Sequence, residues 1–535
     1  MNPRRWSLPV IACAIVLAFV VGGLVAERVM RARQPLEERA HALSMRGDPV
    51  GAEALYWTII DRGPVTVPLL VAFLDNHAHL SSPQLEMSED GQELKLRAPA
   101  VTPDDARVDA LLASPRVPAD VAVLARYWRK VTTFSTKDED RAPILDLADA
   151  EPPTPWANHL IAQDAMRSGK ITDAAARYER EALAFRGVHD ERADDGERAI
   201  DLLIASAEWD RVGEKLRDPR YDGLIHPSTR LRYAFHVRDW SGALRWFLPA
   251  NMPHATIGIY ALAGTAGLLW FWFCARIGQM GERKKFRVPL YLAAFALGVA
   301  SVYLTLAILF VEEDIFHFVE KKNPIADVIW WILGVGLREE ISKLVFFMPL
   351  LPFIRKYGGR REVIACGAIV GLGFAAEENL GYFTSHDVSV ALGRFLLANL
   401  FHMSLAAISA TALYDYVCDR EKHTQTLSRA FLTVVVAHGL YDFFIGQKNL
   451  SFLSIVAFVF SARMFFGLVR DLRGRERGGP PLLVRFVLSL AILTGASFVY
   501  GTMVAGPALA ARALSAGLLA EAIIIYFFVQ ELERM

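Results

Sequence analysis

The stretch GVGLREEISKLVFFMPLL, residues 334–351, has the apolar flanks of a membrane helix but holds Arg338, Glu339, Glu340 and Lys343 between them. A second apolar stretch, GFAAEENLGYF at residues 373–383, holds Glu377 and Glu378. An ionisable side chain at mid-membrane costs roughly 2.5–3.5 kcal/mol on insertion scales, so four such carboxylates come to about ten kcal/mol before pairing. Partners must face them. Candidates stand in ANLFHMSL, residues 398–405, which carries His402, and in VVVAHGLYDFF, residues 434–444, which carries His438 and Asp442.

Composition supports the membrane reading. The 535 residues are 53% hydrophobic with a formal net charge of zero, and the mean hydropathy is +0.27, outside the usual range of soluble enzymes. The balanced charge gives no reason to expect a nucleic-acid partner. Cys13, Cys274, Cys366 and Cys418 lie in apolar segments without a CxxC pair, which argues against a disulfide framework or a zinc knuckle. VIAC, ending at Cys13, looks like a lipoprotein cleavage box, but the apolar run continues past the cysteine. Residues 1–26 therefore read as an uncleaved membrane anchor.

A span needs about 20 apolar residues. One lies near residues 8–26, and nine more lie near 254–275, 288–311, 326–352, 363–384, 389–417, 429–446, 451–469, 482–505 and 507–529. The connections RIGQMGERKKFR, RKYGGRR, DREKHTQTLSR and RDLRGRERGG are basic and alternate with VEEDIFHFVEKKN, TSHD and GQKN. Basic connections stay in the cytoplasm. The expectation is an all-α bundle of about ten spans in the cell membrane, with residues 254–535 polytopic, both termini cytoplasmic and residues 27–253 outside the cytoplasm.

In that outer region DPVGAEALYWTIIDRG, ITDAAARYEREALAFRG, ERAIDLLIASAEWDRVGEKL and WSGALRWFLPA carry apolar residues at helical spacing. They resemble degenerate helical-hairpin repeats of the tetratricopeptide kind. No cluster of nucleophile, base and metal ligand stands out there. The segment reads as an α-helical binding or regulatory module with a protein partner of its own.

The proposed topology puts Glu339, His402 and His438 near the midplane, with Glu378 and Asp442 nearer the outer face. Lys343 follows Glu339 by four residues and Glu340 by three, so on a helix it can pair with either. Adjacent residues point about 100° apart, so one glutamate can face a shared cavity while the other faces Lys343 or a neighbouring helix. Asp442, four residues after His438, is placed to orient its imidazole. Glu378 reads as a site residue, with Asn379 beside it as a hydrogen-bond donor. An ion pair welding helices would explain Glu339, Glu340 and Lys343, but not why three further spans bring acids and imidazoles to overlapping depths. The motifs HExxH, GxSG and GxGD are absent, although glutamates and histidines on separate helices can bind zinc.

The ordered set EExxK (Glu339, Glu340, Lys343), FxxxEN (Phe374, Glu378, Asn379) and HxxxD (His438, Asp442), each on its own membrane helix, resembles the PrsW family of intramembrane proteases over about residues 285–470. That family is similar to the CAAX-prenyl endopeptidase and bacteriocin-processing superfamily, whose versions read EExxxR, FxxxH and HxxxN. The resemblance implies a helix bundle in which glutamate and histidine activate water to cut a membrane-embedded or membrane-proximal protein. By position, Glu339 and Glu340 become the catalytic pair and His438 a catalytic histidine. Glu378 takes a place where relatives outside PrsW have histidine. His402 joins this set from the residue pattern, and Lys343, Asn379 and Asp442 support it. No metal is expected, with zinc as the alternative. Two other readings stay open: a non-catalytic membrane receptor or assembly protein with helical repeats, and an ion carrier that relays protons through the glutamates.

Overall fold

The computed structural model of the chain describes residues 4–33, 35–45, 48–81, 84–87, 94–97, 104–133, 135–188, 191–319, 323–385, 390–447, 450–473 and 482–535. They form two compact units, Met1–Val29 with Pro253–Met535, and Met30–Met252. Both are helical, apart from one short antiparallel strand pair, Gln84–Met87 with Leu94–Arg97.

Among the described residues of the membrane unit, eight helices are long and apolar enough to cross a bilayer. The helices Pro507–Ala520 and Ala522–Glu533, bent by 55° where they meet, make a ninth if they count as one span. The span expected at residues 326–352 is broken. It runs as Pro324–Trp330, a π-helical turn Trp331–Gly336, Leu337–Phe347, a tight turn Met348–Leu350 and Leu351–Tyr357. Pro349 and Pro352 remove two backbone donors three residues apart in its second half, which interrupts the α-helical ladder there.

The spans Arg360–Thr384 and Val390–Cys418 are 83% and 94% buried over their most apolar stretch, whereas Val10–Val29 is 6% buried. The first two are the centre of the bundle and the third its rim. Lipid gives helices no hydrophobic reason to associate, so small residues at the contacts carry the packing. A Cβ on Gly371 would stand 2.2 Å from the His402 carbonyl oxygen, and one on Gly373 would stand 2.2 Å from that of Phe295. Only glycine permits those approaches.

The Met30–Met252 unit follows soluble rules. Its largest core gathers Tyr56, Phe73, Tyr127 and Trp128, each 3% exposed or less, and each large apolar side chain so buried contributes about 1.5–3 kcal/mol. Toward its end three helical hairpins follow one another: Ala157–Arg167 with Ile171–Ala184, Asp195–Ala205 with Trp209–Arg217, and Pro227–His236 with Trp240–Asn251. Each turns through one left-handed residue, Gly169, Ala207 or Arg238. Each also closes with the same long bond, Lys170 N to Ala165 O, Glu208 N to Leu203 O and Asp239 N to Ala234 O, at 2.8–2.9 Å. The three hairpins thus share one helix-ending geometry, in which a left-handed residue lets the chain turn back.

Candidate active site

Four helices of the membrane unit, Leu337–Phe347, Arg360–Ser385, Asn399–Cys418 and Arg420–Gly446, bring the charged residues together. The π-helical turn before the first lies directly on the fourth. A Cβ on Gly439 would stand 2.4 Å from Ile332 Cα, and one on Gly336 would stand 2.5 Å from the Val435 carbonyl oxygen. This backbone contact sets how closely Glu340 and His438 approach.

Glu340 is fully buried. Its Oε1 lies 2.8 Å from Lys343 Nζ and 2.7 Å from His438 Nδ1. Glu339 is held more loosely, its Oε2 3.4 Å from both Lys343 Nζ and His438 Nε2. Asp442 Oδ2 lies 3.3 Å from the same Nε2. The two adjacent glutamates thus divide as helix geometry requires, one locked between Lys343 and His438, the other turned toward the opening. Lys343 Nζ also lies 2.9 Å from His402 Nδ1. An ammonium only donates, so Nδ1 accepts and the ring hydrogen sits on Nε2. That Nε2 faces Glu378 Oε2 at 3.0 Å.

Aromatic rings close the inner wall. Lys343 Nζ lies 4.1 Å over the Phe374 ring, an arrangement that favours the cation, and Phe401 meets His438 edge-on at 5.6 Å between centroids. Side-chain exposure rises from 1% at Lys343 to 10% at Glu339, 20% at Glu378 and 26% at Asp442. The cluster is sealed on the Lys343 side and opens on the side of Glu339, Glu378 and Asp442.

The eight residues given a catalytic or supporting role from the sequence, Glu339, Glu340, Lys343, Glu378, Asn379, His402, His438 and Asp442, fall in or beside this cluster. Asn379 stands one step out, donating to Asn399 Oδ1 at 3.0 Å. Glu377 points away from it and accepts from the Tyr303 hydroxyl at 3.1 Å. Arg338 also leaves the cluster, for Glu312 at 2.6 Å. Arg394, which the sequence reading passes over, belongs to it: its Nη2 donates to Glu378 Oε2 at 2.8 Å.

One donor atom each from Glu339, His402 and His438 lie within 4.8 Å of one another. Two imidazoles and a carboxylate are an ordinary donor set for a divalent metal, and Glu340 on the far nitrogen of His438 is the kind of outer partner that fixes a ligating imidazole. The residues fit a metal.

Residues 287–468 match the model of the PrsW-protease family, described as PrsW family intramembrane metalloprotease. One similar relative, Protease PrsW of Bacillus subtilis (strain 168), is 29% identical over 196 residues, 35% of this chain and 84% of the relative. No solved structure gives a significant match.

Proposed function

Residues 287–468 belong to the PrsW family of intramembrane proteases, and from that premise we propose that the four-helix cluster is the active site of a peptide-bond hydrolase. The chain is a multi-pass membrane protein. The proposed substrate class is a membrane-embedded or membrane-proximal protein. In this reading Glu339, of the two paired glutamates the one held more loosely and nearer the opening, takes a proton from water as the water attacks the scissile carbonyl. The tetrahedral intermediate then carries an oxyanion within reach of the Nε2 edge of His438, which Glu340 and Asp442 orient, and of the Lys343 charge behind it. Return of the proton to the leaving amine completes the cut. The observation that carries this reading is the inequality of the two glutamates: Glu340 bonds at 2.7 and 2.8 Å, Glu339 at 3.4 Å.

Glu339, His402 and His438 are also the residues that would hold a metal, and their grouping within 4.8 Å favours a metal-assisted reading as the second. A bound divalent cation would polarise the scissile carbonyl and acidify water. Chelation separates the two readings. Purified full-length protein should cleave a membrane-protein reporter and keep doing so after strong chelators; loss of cleavage, restored by adding zinc back, would assign the site to the metal. Absence of any cleavage by folded protein, with or without zinc, would sink the protease assignment of the cluster.

By the basic connections, residues 27–253 belong outside the cytoplasm and both termini inside, with the helical repeats serving as a binding or regulatory module. Cysteines introduced near Asp146 and near Arg473 should label from opposite sides of the membrane. Labelling from one side would overturn that topology.

A further inference from the structure

We infer that Arg394 is a positioning residue of this site, holding Glu378 so that Glu378 in turn fixes the ring of His402; the inference rests on the cluster being the protease active site. Arg394 opens the π-helical turn Arg394–Ala398, which lies between the helices Val390–Gly393 and Asn399–Cys418. In an unbroken α-helix, residues eight apart stand about 80° apart around the axis. A π turn absorbs one residue, which makes the separation equivalent to seven and brings Arg394 to within about 20° of His402. The local irregularity thus puts the guanidinium and the imidazole on one face, with Glu378 of the neighbouring helix between them.

The contacts on that face form a chain. Arg394 Nη2 donates to Glu378 Oε2 at 2.8 Å, and the same oxygen lies 3.0 Å from His402 Nε2. Arg394 Nε donates to Asn379 Oδ1, and Asn379 Nδ2 donates to Asn399 Oδ1 at 3.0 Å. The Tyr382 ring lies 3.9 Å beneath the guanidinium. The planar fork of arginine is thereby fixed in position and direction, which a flexible ammonium would not achieve. Lys343 fixes the other ring nitrogen of His402, so the imidazole is pinned from both ends. Arg394 does not itself face Glu339 or His438 in any contact; it acts through Glu378.

Two measurements on the full-length protein in lipid test this. Solid-state NMR of ring-15N histidine, with the His402 signals identified by their loss in His402→Gln, reads the ring directly. Arg394→Gln and Glu378→Gln should both shift the His402 nitrogens and leave those of His438 in place. Unchanged His402 signals in both variants would overturn the inference, whatever the proteolytic activity. In reporter cleavage, Arg394→Gln should lower kcat about 10–100-fold, the size typical of removing an outer orienting partner, with KM unchanged. Arg394→Lys should restore only part of the rate, and guanidinium ion should rescue Arg394→Ala. A rise in KM at constant kcat would make Arg394 a substrate-binding residue and overturn its positioning role. Shifted His402 signals without cleavage by the wild type would leave the positioning chain standing and remove the protease reading. Should Arg394→Gln fail to fold, Glu378→Gln and Arg394→Lys carry the same NMR test.

Discussion

A buried histidine–carboxylate pair occurs in both units, and the two are built differently. In the Met30–Met252 unit, His159 Nδ1 meets both Asp195 oxygens at 3.0 and 2.9 Å, its Nε2 meets Gln163 at 2.7 Å, and Arg198 donates to Asp195 at 3.0 Å. Both members are fully buried, between the rings of Trp156 and Tyr178 on the histidine's flanks. In the membrane unit, His438 shares its two nitrogens among Glu340, Glu339 and Asp442, the second carboxylate oxygen of Glu340 has no protein partner, and the outer acids reach the opening. In the first pair both ring nitrogens and both carboxylate oxygens are engaged by groups of the same unit, as in a weld. The second keeps capacity in reserve. On the proposed reading, that spare capacity is what a substrate or water would engage.

The largest expected effect sharpens that contrast. Glu339→Gln keeps the volume but cannot take a proton, and His438→Ala removes the centre of the cluster; each should lower turnover by about two orders of magnitude or more with the fold intact. Glu340→Gln should lose less, because it retains an acceptor for Lys343, and should lose stability along with rate. Reporter cleavage beside thermal melts measures both. Near wild-type rates in both single Gln variants would make the paired glutamates structural, like the weld. Next comes the weld itself. Asp195→Ala leaves the fully buried His159 Nδ1 without its acceptor, so the Met30–Met252 unit should lose about 1–3 kcal/mol, read by pulse proteolysis in urea. A variant as stable as wild type would erase the distinction between the two pairs.

Much of this was legible in the sequence because ionisable side chains in apolar segments need polar partners, and four such segments carry the acids and imidazoles. What was not legible depends on contacts between distant segments. Hydropathy averages across Pro349 and Pro352, so residues 326–352 read as one helix. The π-helical turns at Trp331–Gly336 and Arg394–Ala398 leave no local signal, and without the second, Arg394 stands off the His402 face. The strand pair Gln84–Met87 with Leu94–Arg97 is four residues a side, too short for its alternation to stand out in a unit whose other signals are helical.

Glycine at a helix crossing gives the third test. Alanine at Gly439 would place its Cβ 2.4 Å from Ile332 Cα and 2.6 Å from Trp331 O, backbone atoms that cannot rotate away. The helices carrying Glu340 and His438 must then part, at a cost of about 1–3 kcal/mol and roughly tenfold or more in rate. Gly264 has nothing within 4 Å of such a Cβ, so Gly264→Ala should be close to neutral. Equal melts and rates for the two variants would show that the crossing does not set the site.

The smallest expected effect lies with His77 in the Met30–Met252 unit, which also has carboxylates at both ring nitrogens: Glu53 at 2.7 Å and Asp105 at 3.3 Å. Burial opposes charge on the ring, but the bonds to Glu53 and Asp105 outweigh it and raise its pKa above the usual 6.5. A raised folded value means that the stabilisation is complete below about pH 6.5 and fades as pH climbs through the folded value. Asp105 moves oppositely. Its slight burial pushes it up, the bonds from Arg129 and His77 pull it lower, and its contribution is present above about pH 3.8 and lost on acidification. Asp105 is 64% exposed, so water screens that half of the arrangement and the whole should amount to no more than about 1 kcal/mol. Pulse proteolysis of full-length protein in urea should show wild type losing stability between pH 6 and pH 8.5 relative to His77→Gln. Parallel pH profiles for the two proteins would mean that His77 is neutral in the folded state, and that its two carboxylates hold it as a weld rather than as an ion.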